Sequence, residues 1–385
     1  MPKSSKNFLN PVDAERERVR HLFVNKPLRE QTEEDRKLEA RLAGVDGGRR
    51  SNQRDALKAE RNRLSRMVTE RRLTEIRNNS KNIKGLAINV RTWAETDPRT
   101  FECWGDWWVK KRLEAGFLAM GHTVEVFPEL ADVTVYLFGH PFPQKDKYPF
   151  FYNPSSFNVC WFHSHPQKMD AEEMAKYDVV FCLSPSFISQ IRDMGPPVHP
   201  LEVCTDMRPP KKKPPFSHNV VFVGNARGSL GFGREIIRDL EPVGYTPVVI
   251  GCKWPSKPGF DLSWYAGQYW PYERLPDLYN STAISLNDHH KPMAKEGFLS
   301  FRILDVLASG GFCISDRAKG LKSFMKETVP EYRNADDLNR LVHRFLADDA
   351  ARAELSAKGM EIAHKHTFQA RAETIVEVAS HMMGV

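Results

Sequence analysis

Residues 285–316, SLNDHHKPMAKEGFLSFRILDVLASGGFCISD, hold an apolar strand, a polar corner, a helix and a second apolar strand. The first strand is expected over 283–286. It stops at the polar set Asn287, Asp288, His289 and His290. A loop leads to Gly297 and Ser300, which open a helix expected over 300–308. The second strand is expected over 312–315. Strand–helix–strand units of this kind build a mostly parallel sheet with helices on its faces.

The alternation continues on both sides of this unit. Towards the N-terminus, strands are expected over 83–90, 122–127, 133–138, 158–162 and 179–183, with helices over 107–120, 171–176 and 185–194. Residues 208–215, RPPKKKPP, have the composition of a linker. Beyond them the pattern restarts with strands over 219–223 and 247–250 and helices over 234–240, 336–346, 350–364 and 368–382. The expected fold class is α/β, with two Rossmann-like domains facing a cleft. Ligands bind in such folds where the carboxyl ends of the parallel strands meet that cleft.

The 385 residues suffice for two domains and an appendage. Hydrophobic residues make up 41% and charged residues 27%, an ordinary globular mixture. No run approaches the ~18 apolar residues of a membrane-spanning helix, and the first residues lack the apolar stretch of a secretory signal. The six cysteines, at 103, 160, 182, 204, 252 and 313, form no C-x-x-C pair. This excludes a disulfide scaffold and a zinc ribbon, and it suits a reducing cytoplasm.

The net charge of +7 is unevenly placed. Residues 1–82 hold 21 Lys and Arg against 13 Asp and Glu, whereas the remaining 303 hold 35 against 36. The body is therefore neutral, and the basicity belongs to an N-terminal helical extension. Its helices are expected over 30–43 and 52–77, broken by Gly44, Gly47 and Gly48. Leu57, Leu64, Met67 and Val68 give a thin apolar stripe, too narrow for an independent core. The stripe suits a surface helix or coiled coil, with a homo-oligomer through residues 30–78 as one outcome. A polyanion or membrane-surface contact is the other.

Four segments carry the candidate chemistry. In residues 221–235, VFVGNARGSLGFGRE, a buried strand runs into a glycine-containing turn and then a helix. Gly224, Gly228, Gly231 and Gly233 would let backbone approach a ligand closely. The following helix N-terminus suits a diphosphate, and Arg227 and Arg234 would add bidentate contacts. A plain tight turn is the alternative. In the 285–316 segment, Ser300 is the expected N-cap. Arg302 lies in the first helical turn, and Asp305 follows on the same face. An arginine near phosphates with a carboxylate deeper in the site matches a nucleotide diphosphate, the carboxylate accepting from ribose hydroxyls. Alternatively Asp305 is a surface partner of Arg302. A metal at His289 and His290 lacks an evident third ligand.

The third segment, Cys160-Trp-Phe-His-Ser-His-Pro-Gln167, ends a strand in His163, Ser164 and His165. Alternation would place the two histidines on one side. His165 is the expected acid/base or hydroxyl-binding group, and a hydrogen-bonded structural role is the alternative. The fourth, Cys103-Trp-Gly-Asp-Trp-Trp108, starts a helix beside the cleft. Trp108 is expected in the core, and Trp104 and Trp107 are either core or a sugar-stacking surface.

The segments WFHSHP (161–166), VVFVGNARG (220–228), 285–316 and HTFQAR (366–371) occur in an order that resembles the glycosyltransferase-like family of CgeB-type spore-maturation proteins. That group includes many bacterial surface-polysaccharide enzymes, and the resemblance spans roughly residues 84–380. It implies a GT-B fold. Residues 83–207 form the acceptor domain, 208–217 the linker and 218–366 the donor domain. Residues 367–385 form a helix crossing back to the first domain. The resemblance also implies a metal-independent hexosyltransferase with no bound cofactor and a UDP-, GDP- or dTDP-sugar as co-substrate. The acceptor is a glycan or other hydroxyl, and the expected place is the cytoplasm, at most peripheral to a membrane.

The family's donor-site pattern falls on Asn287, Asp288, His289, Gly297, Phe298, Ser300, Arg302 and Asp305. Its phosphate loop falls on Gly224, Asn225 and Arg227, and its first-domain turn on His165 and Pro166. His165, Asp288 and Arg302 are the implied catalytic set. Related retaining enzymes carry two glutamates eight residues apart. Here Asp305 holds the later position and Gly297 the earlier, with Glu296 displaced by one, and Phe301 stands where relatives tend to have Asn. The stereochemical course and the donor therefore stay open. A DNA-base acceptor recruited by the basic extension, and a non-catalytic sugar-nucleotide binder, are the competing expectations.

Overall fold

The computed structural model describes residues 85–96, 104–126, 130–138, 156–228 and 233–385. The expected helices at 30–43 and 52–77, the homo-oligomer surface over 30–78, Cys103 and Gly231 lie outside the described residues.

Among the described residues the first half holds one six-stranded sheet. Its strands are β1 (Ala87–Thr92), β2 (Thr123–Val124), β3 (Val133–Phe138), β4 (Phe157–Phe162), β5 (Val179–Cys182) and β6 (Val198–Pro200). They run parallel in the order β2-β1-β3-β4-β5-β6. Every residue of β3 and β4 is buried, as parallel strands covered on both faces require. The second half repeats the plan with β7 (His218–Val223), β8 (Val248–Ile250), β9 (Tyr265–Gly267), β10 (Thr282–Asn287), β11 (Cys313–Asp316) and β12 (Glu331–Tyr332). Their order is β12-β11-β10-β7-β8-β9, again all parallel. The chain leaves β7 towards β8 and returns to its other side as β10. The switch point thus lies between the carboxyl ends of β7 and β10, where open α/β sheets bind ligands.

The helices that position the site are α1 (Gly105–Ala119), α2 (Glu235–Arg238), α3 (Leu275–Asn280), α4 (Lys291–Glu296), α5 (Phe301–Ala308), α6 (Ala335–Ala347), α7 (Asp349–Ala363) and α8 (Phe368–Met383). Helix α5 forms because Ile303, Leu304, Val306, Leu307 and Ala308 bury one broad face. Gly310 in the left-handed region and Gly311 end it.

Helix α8 starts at Thr367, whose Oγ1 accepts from the Ala370 amide at 3.1 Å. Its buried residues Phe368, Ala372, Ile375, Ala379 and Met383 follow helical spacing. They join Leu113, Phe117 and Trp161 in the core of the first half. Gly116 of α1 permits the close crossing, since a Cβ there would stand 3.1 Å from the Ala372 Cβ. The two passages of chain between the halves are tied together. The Thr205 amide donates to the His366 carbonyl at 2.9 Å, and Arg371 donates to the carbonyls of Glu202 and Val203 at 2.8 and 3.1 Å.

The structure adds elements where the sequence shows no period. Residues 291–296, expected as loop, form α4, closed by Gly297 with φ 81°. Strands β6, β9 and β12 and helix α3 are each six residues or fewer, too short for a readable repeat. The helix expected over 185–194 is a 3-10 turn, Pro185–Phe187, followed by one turn, Ile188–Ile191.

Candidate functional site

A cleft of about 350 Å³ lies between the halves, at the β7–β10 switch point, at the small end of ligand pockets (~300–1,000 Å³). The second half lines it with Gly224, Asn225, Arg234, Gly251, Ser300, Phe301, Arg302 and Asp305, the first half with Trp104, Asp106, Trp108, His163 and Ser164.

Gly224 closes β7 and leaves room for two guanidiniums. A Cβ there would stand 2.7 Å from the Arg302 Nη2 and 3.2 Å from the Arg234 Nη2. Both arginines lie over the Phe222 ring at 5.0 Å. Arg302 reaches this place from the first turn of α5, and its Nη1 donates to the Asn287 Oδ1 at 2.9 Å. Among the described residues Arg302 makes no ion pair. In that first turn the Ile303 amide donates to the Ser300 carbonyl at 3.2 Å, and the amides before it precede any i−4 partner within the helix. Ser300 occupies the N-cap position, but its hydroxyl makes no capping bond.

Arg227 and Arg234, expected as phosphate ligands, are committed to Asp288. Arg234 Nη1 bonds the Asp288 Oδ1, and Arg227 Nη1 stands 3.2 Å from the Oδ2. Arg234 Nε also donates to the Asn225 carbonyl at 2.8 Å, and Arg227 Nη1 to the His289 carbonyl at 2.7 Å. Asn225 spends its side chain on the loop, its Oδ1 accepting from the Cys252 amide at 2.9 Å. Burial alone would push the Asp288 carboxyl up, but Arg234, Arg227 and Arg302 outweigh it and hold the group below its usual range. Burial lowers Arg234 to about 9, against the pull of Asp288. Asp288, expected in the catalytic set, is held as the counter-ion of Arg234 and Arg227. Asp288 pairs with Arg227 and Arg234 and lies in the field of Arg302, while Asp316 also lies near Arg227. The helix after this loop, α2, has a single turn and offers no cradle of its own.

His289 has both ring nitrogens occupied. Its Nε2 accepts from the Ser300 amide at 3.0 Å, and its Nδ1 meets the Asp316 Oδ1 at 2.6 Å. It ties the end of β11 to the start of α5. Burial lowers His290 to about 3, with Arg227 and His165 adding to the effect. Among the described residues no group of three or more His, Cys, Asp or Glu is placed to hold a metal ion.

The first half presents a different histidine from the one expected. Strand β4 ends at Phe162, and His165 then takes a left-handed conformation, φ 55°. The alternation that would align His163 with His165 is broken there. His165 pairs its Nδ1 with the Ser164 Oγ at 2.7 Å and does not line the cleft. His163 does. Its Nε2 is buried without a hydrogen-bond partner among the described residues, a rare state for a buried polar atom. It stands 4.0 Å from the Asp106 Oδ1. Burial lowers its pKa to about 4, so the ring is neutral near pH 7.

Trp108, expected in the core, instead stacks on Tyr272 across the gap between the halves, with centroids 4.4 Å apart and planes 4° apart. Phe298, expected in the donor site, is fully buried against Phe162 and Phe187. Gly297 is likewise a packing position. A Cβ there would come within 2.9 Å of the Ser184 Oγ. Glu296 faces Gln190, with Nε2 2.8 Å from its Oε2, and not the cleft.

Asp305 lines the cleft, and its Oδ1 accepts from the Thr205 Oγ1 at 2.6 Å. Burial raises its pKa to about 7, more than the Thr205 bond and Arg302 lower it. The folded protein thus keeps a proton that the unfolded chain releases near pH ~4. Its contribution to stability is complete below that value and fades as pH rises to about 7. In Asp305→Asn, which keeps an acceptor for Thr205, this part of the pH dependence is expected to vanish. Urea midpoints of the two proteins should diverge between about pH 4 and about pH 7. Parallel curves would contradict the assignment.

Residues 231–377 match the model of a glycosyl transferase-like family. No curated protein matches the chain significantly. Among solved structures, sucrose-phosphate synthase from Thermosynechococcus elongatus is 14% identical, with TM-score 0.55 over 78% of this chain and 100% of that one. An α-glucosyltransferase in complex with UDP and a 13-mer DNA containing a HMU base is 11% identical, with TM-score 0.57 over 77% and 99%. AviGT4, a glycosyltransferase involved in avilamycin A biosynthesis, is 15% identical, with TM-score 0.51 over 78% and 98%. The fold is therefore GT-B. Together with the matched segment in the second half, it supports a glycosyltransferase.

Proposed function

We propose that this protein transfers a sugar from a nucleotide-diphosphate sugar, with UDP, GDP or dTDP as the carrier, to an acceptor hydroxyl held against the first half. The observation that carries the reading is Arg302, without an ion pair among the described residues, at the amino end of α5 and the switch point of the second sheet. Charge develops on the leaving diphosphate as the glycosidic bond breaks. Arg302, the amino end of α5 and the field of Arg227 and Arg234 would stabilise it, and such stabilisation is usually the largest catalytic effect. Fixed guanidiniums supply positive charge here, so transfer is expected to proceed without a divalent ion. Asp305 sits deeper, where ribose hydroxyls would meet it. His163, neutral and with an open nitrogen, faces the first-half side of the cleft and would bind a sugar or acceptor hydroxyl.

A surface glycan of the CgeB-type group is the acceptor we favour. The five described cysteines are unpaired, four of them buried, which suits a reducing cytoplasm. No described helix is long and apolar enough to cross a membrane. A DNA-base acceptor is the second reading, favoured by the basic residues 1–82. DNA held through several phosphates would weaken steeply with salt, whereas a neutral glycan would not.

The deciding experiment is donor hydrolysis and transfer with UDP-, GDP-, dTDP- and CMP-sugars, with and without EDTA. One nucleotide class should be turned over and should stay active in EDTA. Binding without turnover would favour a sugar-nucleotide sensor. Silence with every donor, with no binding by calorimetry, would end the glycosyl-transfer reading.

A further inference from the structure

One hydrogen-bonded chain leaves α5 at Arg302 and returns to it two residues earlier. Arg302 Nη1 donates to the Asn287 Oδ1 at 2.9 Å, and the Asn287 Nδ2 donates to the Ser315 Oγ at 2.9 Å. Ser315 Oγ donates to the Asp316 Oδ1 at 3.1 Å. The same oxygen faces His289 Nδ1 at 2.6 Å, and His289 Nε2 meets the Ser300 amide at 3.0 Å. Asn287 and His289 extend the end of β10, while Ser315 and Asp316 end β11. Two neighbouring strand ends therefore clamp the start of the helix that lines the cleft.

The direction of each bond is fixed by chemistry. A backbone amide can only donate, so the His289 Nε2 must accept from Ser300. In the neutral ring the proton then sits on Nδ1 and is given to Asp316. Asp316 spends both oxygens on this residue, the Oδ2 accepting from the His289 amide at 3.0 Å. The His289 side chain is fully buried, so water offers it no substitute.

We infer that Asp316 and His289 are a positioning pair: Asp316 fixes the His289 tautomer, and that tautomer seats the first turn of α5 for the donor diphosphate. The inference rests on the donor-site reading above. In Asp316→Asn one oxygen must still accept from the His289 amide. The new NH2 then faces Nδ1 and donates to it. The ring proton moves to Nε2 and points at the Ser300 amide, placing two donors 3.0 Å apart. Charge alone predicts the opposite effect, because Asp316 lies in the field of Arg227, and removing a carboxylate there should tighten anion binding.

The test joins two readouts on the full chain. Calorimetry with UDP, GDP and dTDP is expected to show Asp316→Asn binding the accepted nucleotide about tenfold more weakly, the scale of one unsatisfied buried donor. Two-bond 1H–15N NMR on histidine-labelled protein should find His289 protonated at Nδ1 in the wild type and at Nε2 in Asp316→Asn. In a His289→Gln background the carboxamide oxygen can take the Ser300 amide, and Asp316→Asn should then cost little. Equal or tighter nucleotide binding by Asp316→Asn would overturn the inference, as would an unchanged Nδ1 proton or an equal loss in both backgrounds. If no nucleotide binds the wild type, the donor reading falls, and the NMR result still judges the pair.

Discussion

Arg302→Ala is expected to lower turnover about 100-fold, the loss of one preorganised donor worth on the order of 3 kcal/mol. Its fold should survive. The side chain is only partly buried and leaves behind a ring contact over Phe222 and one buried acceptor on Asn287, together worth about 2–4 kcal/mol. The loss should fall mainly on kcat, because in the proposed reaction charge on the diphosphate grows as the bond breaks. Arg302→Lys keeps the charge without the planar fork and should recover only part of the rate. Turnover near the wild-type rate in Arg302→Ala would show that this guanidinium does not face the departing group.

Asp288→Ala should have the reverse signature, with stability as the first casualty. It strands Arg234, whose side chain is only 7% exposed, beside Arg227 and Arg302. Breaking a buried pair from one side costs about 3–5 kcal/mol, readable as a lower urea midpoint. The pH dependence has a definite sign. The folded protein holds the Asp288 carboxyl below its ordinary value, so its contribution is present above the unfolded pKa of ~3.9 and is lost as pH falls through the folded one. The variant should accordingly show a shallower acid-induced loss of stability than the wild type. An unchanged urea midpoint near neutral pH would mean that solvent or another anion already neutralises these arginines.

The contrast between these residues shows what local pattern can carry. The places of Asn287 at a strand end and of Arg302 at a helix start are legible within a few residues, although Asn287 proves buried beneath Arg302 and does not line the cleft. The strands are legible too, since the apolar runs of β3 and β4 are what two covered faces demand. The partners of Asp288 were not legible. Arg227 and Arg234 lie 61 and 54 residues before it, and spacing says nothing about which charges meet. The exchange of His163 for His165 turned on one left-handed residue before Pro166, which period-two reasoning cannot foresee. Trp108 escaped because its stacking partner, Tyr272, sits in a segment with no readable period. Phe298 was placed in the donor site by the family pattern alone, and its packing on Phe162, 136 residues away in sequence, is not visible in local spacing.

The last helix has a consequence for how such molecules can be recombined. Its apolar face completes the interior of the half that the chain left some 160 residues earlier. A hybrid cut at the proline-rich connector alone would pair one parent's slot with another parent's plug. Swapping the second half between relatives would thus need two cuts, with the tail inherited alongside the leading half.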